Sequence, residues 1–565
     1  MTSRTVRALG WAPLAAAILA VAACKGSEST PAAVGPADIG GTMVIATPAE
    51  PGTLLPLLVS SLSDRITTDL LYDRLAEIPQ DLNTVGDKGY RPQLAESWEW
   101  SKDSLSIAFH LNPKARWHDG QPVRASDVRF TVNLVKDPAA GAPMMQLIQN
   151  VDSISVRDSL TPVAWFKRHT PEQFYDLVYQ VPIVPEHLLS NIPAAQLRTS
   201  EVSRKGIGSG RFRLGKWEAG QRLELVADTG NYRGRAKLDR VVWSKVPDAT
   251  AAATRFFSGD ADMYELLRPE HLAQLKGDTV RHAVPYPSLS YTYLGMNLVD
   301  PSNSARPHPI FGDKAVRRAL SMAVDRRAML QNVFGSYGQI SYGPFPHAMG
   351  VVDTTLPQIG YDTVRARALL DSAGWVMGPG GVRTKGGHKL EFSIITPNSS
   401  APRKAYAVLL QDAFKKIGVS VKIDESDYPT YVAKQGARTF DASMVSYGTD
   451  PSVSGFKQSW GAAGIVKDGP NFTGYSNPVV DALLDSAITT FDVARTKSYT
   501  RRALETIMDD APGIWLYEPM TMAGIDKRIH LTAMRADGYW SGMDDWWIPA
   551  SQRTARDKIG LRPAN

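Results

Sequence analysis

A single cysteine limits how this chain can be held together. Cys24 is the only cysteine among 565 residues, so an intrachain disulfide framework and a cysteine-based zinc site are both excluded. The fold must therefore rest on its hydrophobic core. With 43% hydrophobic and 9% aromatic residues, a chain of this length can bury a large core, unlike a disordered or fibrous protein.

The first 23 residues have the pattern of a secretion signal. Arg4 and Arg7 form a short positive region, and the apolar stretch at 11–21 is too short to span a bilayer as a helix. The quartet VAAC at 21–24 resembles the bacterial lipobox. That resemblance implies that Cys24 receives a diacylglyceryl group and becomes the mature N-terminus. The alternative is an ordinary cleaved signal with an incidental cysteine.

Residues 24–41 are small, polar and rich in proline and glycine, which is typical of a flexible tether. No later apolar stretch is long and charge-free enough to cross a membrane. We therefore expect a soluble body in the periplasm or on the outer face of the cell membrane, held there by the lipid at Cys24.

The charge pattern argues against a nucleic-acid partner. The formal net charge is +6, but acids and bases are interspersed along the chain. No run of lysine and arginine is long enough to neutralise a phosphate backbone.

Strand and helix signals alternate along the chain, which indicates an α/β fold. Residues 42–46 predict a first buried strand. Helices are clearest in the second half: one capped by Asp313 and ending near Gly335, one that begins at Asn477-Pro478, and one that opens at Asp492. Further strands are predicted at 106–111, 222–227, 241–246, 291–297, 389–395 and 419–423.

No catalytic or metal-binding motif is present. The ten histidines are scattered without metal-ligand spacing, and no serine lies in a nucleophile elbow. An enzyme, for instance a lipoprotein hydrolase of the same compartment, would need a nucleophile, a base and an oxyanion site within reach of one another. We therefore expect a binding protein without catalytic residues, metal or cofactor.

One stretch near residue 100 is distinctive. Its motifs are LAESW at 94–98, WHDGQPV at 117–123 and ASDV at 125–128. Physically they predict a strand, a tight Asp-Gly turn and a helix that begins near Val128 with Ser126 or Asp127 as its cap. The whole string strongly resembles the signature of the family 5 extracellular solute-binding proteins. That family includes oligopeptide-, dipeptide- and nickel-binding proteins of ABC importers.

Further motifs similar to those of the same family follow in the family's order. They are VPEH at 184–187, GSGRF at 208–212, NYRG at 231–234, SGDAD at 258–262, VRRAL at 316–320 and GYSNP at 474–478. A single motif of this kind is weak evidence for the family, but several motifs in the family's order are specific to it. The resemblance covers about residues 42–530.

The resemblance implies a periplasmic-binding-protein-like α/β fold of the class II type. Such a fold has two lobes joined by two hinge crossings, an extra domain, and a ligand cleft between the lobes, which close on the ligand. Mapped onto this sequence, the first lobe comprises 42–58, 198–285 and 511–553. The extra domain comprises 59–197 and the second lobe 286–510.

The resemblance also implies a function. A lipid-anchored monomer would capture a solute, in the first instance a peptide, and deliver it to the permease subunits of an ABC importer. An oligosaccharide or a metal chelate bound in the same fold is an alternative, and the tryptophan-rich C-terminal part would suit sugar stacking. A third hypothesis is a lipoprotein that has kept the fold but acts in signalling or as a chaperone.

In peptide-binding relatives, an aspartate a few residues after an aromatic takes the ligand's α-ammonium. The matching stretch here is FDASMVSYGTDP at 440–451. Counted forward from Asp441, Tyr447 falls on the family's tryptophan and Asp450 on the amine-binding aspartate. Counted backward from Pro451, Asp450 belongs to a following Asp-Pro turn and Tyr447 takes the amine position. We predict Asp450 as the amine-binding acid, with the turn as the alternative.

Aromatic walls are expected around a peptide whose side chains lie in roomy pockets. Tyr447 and Trp460 are predicted to line the ligand cleft, together with Tyr291 and Tyr293 on one strand. Each of these residues could equally belong to the core. No base for the peptide carboxylate can be chosen from the sequence.

Overall fold

The computed structural model of the protein describes residues 39–352, 354–466, 468–532 and 534–558. In chain order its strands are β1 (Thr42–Thr47), β2 (Ala76–Glu77), β3 (Arg91–Pro92), β4 (Ala95–Trp100), β5 (Ser106–Leu111), β6 (Val151–Asp158), β7 (Thr161–Phe166), β8 (Phe212–Glu218), β9 (Arg222–Ala227), β10 (Arg240–Lys245), β11 (Met263–Tyr264), β12 (Arg281–Tyr286), β13 (Ser290–Met296), β14 (Val299–Asp300), β15 (Asn303–Pro307), β16 (Gln339–Ile340), β17 (Val376–Met377), β18 (Arg383–Lys385), β19 (His388–Lys389), β20 (Glu391–Pro397), β21 (Ser420–Ser426), β22 (Ala442–Gly448), β23 (Gly513–Glu518) and β24 (Thr521–Asp526).

The α-helices interleave with these strands, as the sequence predicts for an α/β fold. They are α1 (Leu62–Leu71), α2 (Ala125–Lys136), α3 (Gln173–Val178), α4 (Glu186–Leu189), α5 (Ala249–Phe257), α6 (Pro269–Gln274), α7 (Lys314–Met322), α8 (Arg326–Phe334), α9 (Thr363–Ser372), α10 (Ala401–Lys415), α11 (Tyr428–Gly436), α12 (Val453–Trp460), α13 (Pro478–Thr489) and α14 (Val493–Asp510).

The first sheet has the strand order β12-β24-β11-β1-β10-β9-β8. β1 pairs in parallel with β10 on one edge and with β11 on the other. Met43 and Ile45 of β1 are fully buried, and nearly all of the strand is buried on both faces, as expected for a central parallel strand. The predicted first strand is therefore confirmed.

The second sheet has the order β16-β23-β13-β22-β20-β21. β13 pairs antiparallel with β22 and β23, whereas β20 runs parallel to β21 and β22. Helix α10 buries Tyr406, Leu410 and Phe414 in the core of this sheet. The turn after it contains Gly418 with a φ of +84°, a left-handed conformation that glycine adopts without strain.

The third sheet is antiparallel, with the order β4-β5-β7-β6, and α2 packs against it. α2 begins at Ala125, three residues before the predicted start, and its N-cap position is Arg124. The prediction of Ser126 or Asp127 as the cap is therefore wrong. Asp127 lies one turn inside the helix, and its carboxylate reaches back to accept a hydrogen bond from the Arg124 N–H (2.8 Å).

The chain crosses between the first and second sheets twice, at 287–289 and at 519–520. The two crossings touch, because the Ser288 hydroxyl donates a hydrogen bond to the Pro519 carbonyl oxygen (3.0 Å). β23 precedes the second crossing and pairs with β13. It therefore lies in the second sheet, although the family resemblance places all of 511–553 in the first lobe. The other domain bounds stay predictions.

The helix predicted from Asp313 to near Gly335 is interrupted between α7 and α8. Asp313 caps α7 and Asp325 caps α8, each by accepting a hydrogen bond from a backbone N–H of the first turn (2.8 and 3.0 Å). Because Asp325 offers a second N-cap, a new helix begins there. The helices predicted to open at Asn477 and Asp492 are confirmed as α13 and α14.

Within the described ranges, no helix combines the length and the apolar character that a bilayer crossing requires. The predicted signal at 1–23 and the predicted lipidation site Cys24 lie outside those ranges.

Two of the family-like motifs contact each other through a histidine. The backbone N–H of His118 donates to the Gly208 carbonyl oxygen (2.8 Å), and its Nδ1 accepts from the Gly208 N–H (3.0 Å). Nε2 therefore carries the ring proton and donates it to the Gly210 carbonyl oxygen (3.0 Å). Burial lowers the pKa of His118, which favours this neutral ring.

Gly208 and Gly210 pass close to the end of α1. A Cβ atom on Gly208 would lie 1.8 Å from the Leu71 carbonyl oxygen, and one on Gly210 would lie 2.5 Å from the Leu70 carbonyl oxygen. The Gly210 N–H donates to the same Leu71 oxygen (2.8 Å). Only glycine permits so close a backbone approach.

Gly208→Ala should lower the free energy of unfolding by about 2–4 kcal/mol, because the added methyl group overlaps a helix backbone atom that cannot move freely. Urea unfolding measures the change. Gly360→Ala is the matched control, since its Cβ would meet nothing within 4 Å and should change stability by less than about 0.5 kcal/mol. Equal effects of the two substitutions would contradict this account of the motif.

Candidate ligand-binding cleft

A cleft opens at the carboxyl ends of the parallel strands of the first sheet. β10 and β11 flank β1, and the connection through α5 carries the chain from one side of β1 to the other. Ligands of open α/β sheets bind in the crevice outside such a switch point. A cavity of about 130 Å³ lies there. Its mostly apolar wall includes Pro48, Ile66, Trp243, Tyr264 and Leu266.

Two polar groups lie beside this apolar wall. The Glu265 carboxylate accepts a hydrogen bond from the Tyr539 hydroxyl, and the Glu265 carbonyl oxygen accepts one from the Tyr286 hydroxyl (3.4 Å). Burial raises the pKa of Glu265. The buried indole N–H of Trp243 lies close to the Tyr539 hydroxyl. This side of the cleft thus contains one carboxylate beside an apolar wall.

The end of β22 reaches the same region beside the first crossing. Ser290 of β13 pairs with Gly448 of β22, and the next N–H, that of Thr449, donates to the Leu289 carbonyl oxygen (2.8 Å). Tyr286, which contacts Glu265, lies only three residues before Leu289. The residues that follow β22 therefore lie beside the first crossing between the two sheets.

Asp450 forms the turn between β22 and α12. Its Oδ1 atom accepts a hydrogen bond from the Ser452 N–H (2.8 Å), as expected for an Asp-Pro turn. In the part of the chain that the structure describes, no group donates to its Oδ2 atom. The turn role and the amine-binding role that the sequence leaves open are therefore compatible, because each uses a different oxygen.

Asp450 and Asp176 of α3 are half-buried carboxylates, and the charge of Asp450 acts on Asp176. Burial, together with the charge of Glu172, raises the pKa of Asp450 to about 6, although the Ser452 N–H and Arg65 partly oppose the shift. Burial, together with the charges of Glu172 and Asp450, raises the pKa of Asp176 to about 8. Near neutral pH, Asp176 therefore keeps its proton, while Asp450 is largely ionised and its charge is poorly compensated.

Glu172, just before α3, is buried and joins this region to α12. Its carboxylate accepts hydrogen bonds from the hydroxyls of Thr84, Ser452 and Ser454, each at 2.7 Å. It also accepts one from the Val453 N–H (3.1 Å), at the start of α12. A buried carboxylate is thereby fully satisfied without a cation.

Arg65 of α1 is a basic side chain close to these acids. It donates to the Tyr179 hydroxyl (2.6 Å), and its Nε atom lies 3.5 Å from Asp69. Its side chain keeps 38% exposure, and its charge lowers the pKa of Asp450. Arg65 is therefore a partly exposed basic side chain whose charge acts on Asp450.

The aromatic residues predicted as cleft walls form one cluster. The rings of Tyr291 and Tyr293 stack at 5.6 Å, and the Trp460 indole donates to the Tyr291 hydroxyl (3.0 Å). These three side chains are only 1–3% exposed, so they belong to the core under the second sheet. Tyr447 is half-buried and accepts a hydrogen bond from Ser459 (2.7 Å). Contact of any of the four with a ligand stays a prediction.

Several of these site residues were not found from the sequence. Glu172 and Ser452 are 280 residues apart, and isolated acids carry no signal of their tertiary neighbours. One signal was available for Asp176, which is the only acid within the otherwise apolar run FYDLV at 174–178. An acid on a buried helix face is uncommon without a function.

The family follows from a sequence comparison. Residues 89–464 match the profile of the family described as "Bacterial extracellular solute-binding proteins, family 5 Middle". The match spans more than half of the chain. This protein belongs to the family 5 extracellular solute-binding proteins. Members of this family are non-enzymatic binding components of ABC transporters, which confirms the expected absence of catalysis.

Two curated relatives align over most of this chain. The oligopeptide-binding protein AppA of Bacillus subtilis (strain 168) is 26% identical over 546 residues, which are 94% of this chain and 96% of AppA. The probable D,D-dipeptide-binding periplasmic protein DdpA of Escherichia coli (strain K12) is 26% identical over 499 residues, 86% of this chain and 90% of DdpA.

Solved structures confirm the two-lobed α/β fold that the resemblance implies. Bacillus subtilis AppA, solved in complex with a nonapeptide, superposes with a TM-score of 0.70 at 25% identity, over 90% of this chain and 99% of that one. NikZ from Campylobacter jejuni, solved with Ni(L-His), has a TM-score of 0.71 at 23% identity and the same coverage. The second likeness is one of fold alone.

Asp176 should make stability depend on pH. The folded protein keeps a proton on Asp176 up to about pH 8, whereas the unfolded chain loses it near pH 4. The group therefore favours folding at low pH, and this contribution is lost as the pH rises from about 4 towards 8. Asp176→Asn should raise the free energy of unfolding by about 1–3 kcal/mol at pH 8 and change it little at pH 4.

Urea unfolding at both pH values measures the effect. Asp412→Asn, at an exposed aspartate on α10, is the matched control and should change stability at neither pH. A gain from Asp176→Asn that is equal at pH 4 and pH 8 would show that the carboxyl proton is not its cause.

Proposed function

We propose that this protein captures peptides with a free N-terminal ammonium group by closing its lobes, and delivers them to the permease of an ABC importer. The observation that carries the proposal is the pair of carboxylates, Asp450 and Asp176, beside the end of β22. Among the described residues, no cation acts on Asp176, and the cation that acts on Asp450 is Arg65, already engaged by Asp69. A ligand ammonium group would supply the missing positive charge.

An α-ammonium group fits this arrangement chemically. It has three N–H donors, and the Oδ2 atom of Asp450 is available as an acceptor. Charge-assisted hydrogen bonds of this kind are about twice as strong as neutral ones. Because binding requires the ionised carboxylate, and burial raises the pKa of Asp450 to about 6, the ammonium group would also displace a proton from Asp450 below that pH.

The relatives support a peptide ligand over the alternatives. AppA was solved with a nonapeptide, and DdpA is named as a D,D-dipeptide-binding protein. NikZ, solved with Ni(L-His), keeps a metal chelate as an alternative in the same fold. An oligosaccharide is less favoured, because Trp515, Trp540 and Trp546 of the tryptophan-rich C-terminal part are only 0–5% exposed and offer no ring face to a sugar.

We propose that each lobe contains one of the two large sheets, with hinges at 287–289 and 519–520, and that the third sheet belongs to the extra domain. Rotation about two touching crossings is the hinge motion that encloses a ligand. We further propose that Cys24 carries the lipid anchor. Fatty-acid labelling of cells tests the anchor, since Cys24→Ser removes the acceptor thiol and should abolish the label.

Calorimetric titration with peptides of two to nine residues tests the ammonium site. Each peptide is used with a free and with an acetylated N-terminus. Asp450→Asn should weaken binding of the free-amine form by about 10- to 100-fold, the effect of losing a charge-assisted hydrogen bond, and change the acetylated form little. For the wild type, affinity for the free-amine form should fall as the pH drops below about 6.

Asp412→Asn serves again as the control and should bind both forms like the wild type. Binding that is indifferent to both acetylation and Asp450→Asn would remove the ammonium assignment. Failure of all the peptides to bind would overturn the peptide function itself.

A further inference from the structure

Glu172 belongs to the region of the third sheet, and its loop is held from that side. The Gly86 N–H donates to the Pro171 carbonyl oxygen (2.8 Å), and the Thr84 hydroxyl donates to the Glu172 carboxylate (2.7 Å). Both contacts lie within the predicted extra domain. They would keep Glu172 in place however the second lobe moves.

The other three hydrogen bonds to Glu172 come from the first turn of α12, in the predicted second lobe. Ser452 is the N-cap of α12, and its hydroxyl accepts the Ser454 N–H (3.0 Å) while donating to Glu172. The Val453 N–H is satisfied by Glu172, from a distant part of the chain. A carboxylate is well suited to this position, because the exposed N–H groups of a helix N-terminus carry partial positive charge.

Ser452 connects Glu172 to the proposed amine-binding acid. Its hydroxyl donates to Glu172 (2.7 Å), and its backbone N–H donates to Asp450 Oδ1 (2.8 Å). The orientation of the Asp450 carboxylate thus depends on a residue that Glu172 holds. Only two hydrogen bonds separate the extra domain from the group that would meet the ligand.

We infer that Glu172 is a positioning residue: its contact with the first turn of α12 couples lobe closure to the orientation of Asp450. This inference rests on the proposed function. When the lobes close, Glu172 completes the N-terminus of α12 and fixes the Asp450 turn. When they open, α12 loses this acceptor, and the Asp450 turn is less constrained.

The surrounding interface is suited to a contact that forms and separates. A cavity of about 40 Å³ remains between the 81–85 loop and α12, with Leu82, Val85, Phe345 and Val453 in its wall. Nearby, the rings of His169 and Phe491 touch at 4.0 Å between centroids, yet Phe491 is 48% exposed. The apolar packing at this interface is incomplete, so the four hydrogen bonds to Glu172 are its specific polar contact.

Two hydroxyl deletions separate this role from simple stabilisation. Ser454→Ala removes a hydrogen bond to Glu172 from the α12 side, and Thr84→Ala removes one of equal length from the extra-domain side. Glu172→Ala removes the whole contact. Each is made in the full chain with Cys24→Ser, and with Glu96→Cys and Val408→Cys as exposed positions for fluorescent labels.

Single-molecule energy transfer then gives the ratio of closed to open protein without peptide. Ser454→Ala should lower this ratio about tenfold, the effect of one hydrogen bond to a charged group, and Glu172→Ala at least as much. Thr84→Ala should change it less than twofold, although both alanine variants lose one hydroxyl. Equal ratios for Ser454→Ala and Thr84→Ala would overturn the inference.

The positioning role is tested separately by measuring the binding of the pentapeptide Ala-Ala-Ala-Ala-Ala, with a free and with an acetylated N-terminus. Glu172→Ala should reduce the preference for the free amine, because Ser452 loses the acceptor that holds it and the Asp450 carboxylate is less firmly placed. Equal weakening of both forms would show that Glu172 only closes the lobes, and would contradict the positioning role. If neither form of the pentapeptide binds the wild type, the proposed peptide function is contradicted. The energy-transfer ratios would still show whether the contact between Glu172 and α12 favours the closed protein.

Discussion

Parallel pairing on both edges of β1 determines where this protein can hold a ligand. The carboxyl ends of β1, β10 and β11 lie at one edge of the first sheet, so the loops that follow them surround a single crevice. The two crossings then place the second sheet opposite that crevice. As a result, β22 ends beside the first crossing, and Asp450 follows it directly. The position of the cleft is thus a consequence of strand order.

The electrostatics of the cleft follow from that geometry. Burial removes water from Asp450 and Asp176, which raises both pKa values. Glu172 avoids an unpaired buried charge because four protein donors surround it. The first two carboxylates have no such set of donors. A cationic group on the ligand is the simplest way to compensate them, and it links affinity to closure.

Local patterns in the sequence predicted local structure well. The buried run at 42–46 is a strand, and Asn477 caps α13 as its position before proline implies. The pairing of strands that are distant in sequence could not be predicted in this way. β23 joins the second sheet because it precedes a crossing, and no periodicity in the sequence reveals that position. In the site, the stretch after Phe440 indicated Asp450, whereas Glu172 contacts α12 from 280 residues away. The buried positions of Tyr291 and Trp460 also depend on tertiary packing, since an aromatic residue suits a core and a cleft equally.

The most direct test of this account is to identify what the protein carries from the cell. The protein would be purified from its native envelope without added ligand and denatured, and the released small molecules would be analysed by mass spectrometry. We expect short peptides whose N-termini are free. Release of sugars, metal chelates or N-terminally blocked peptides would contradict the claim that a ligand ammonium group compensates the carboxylates beside β22.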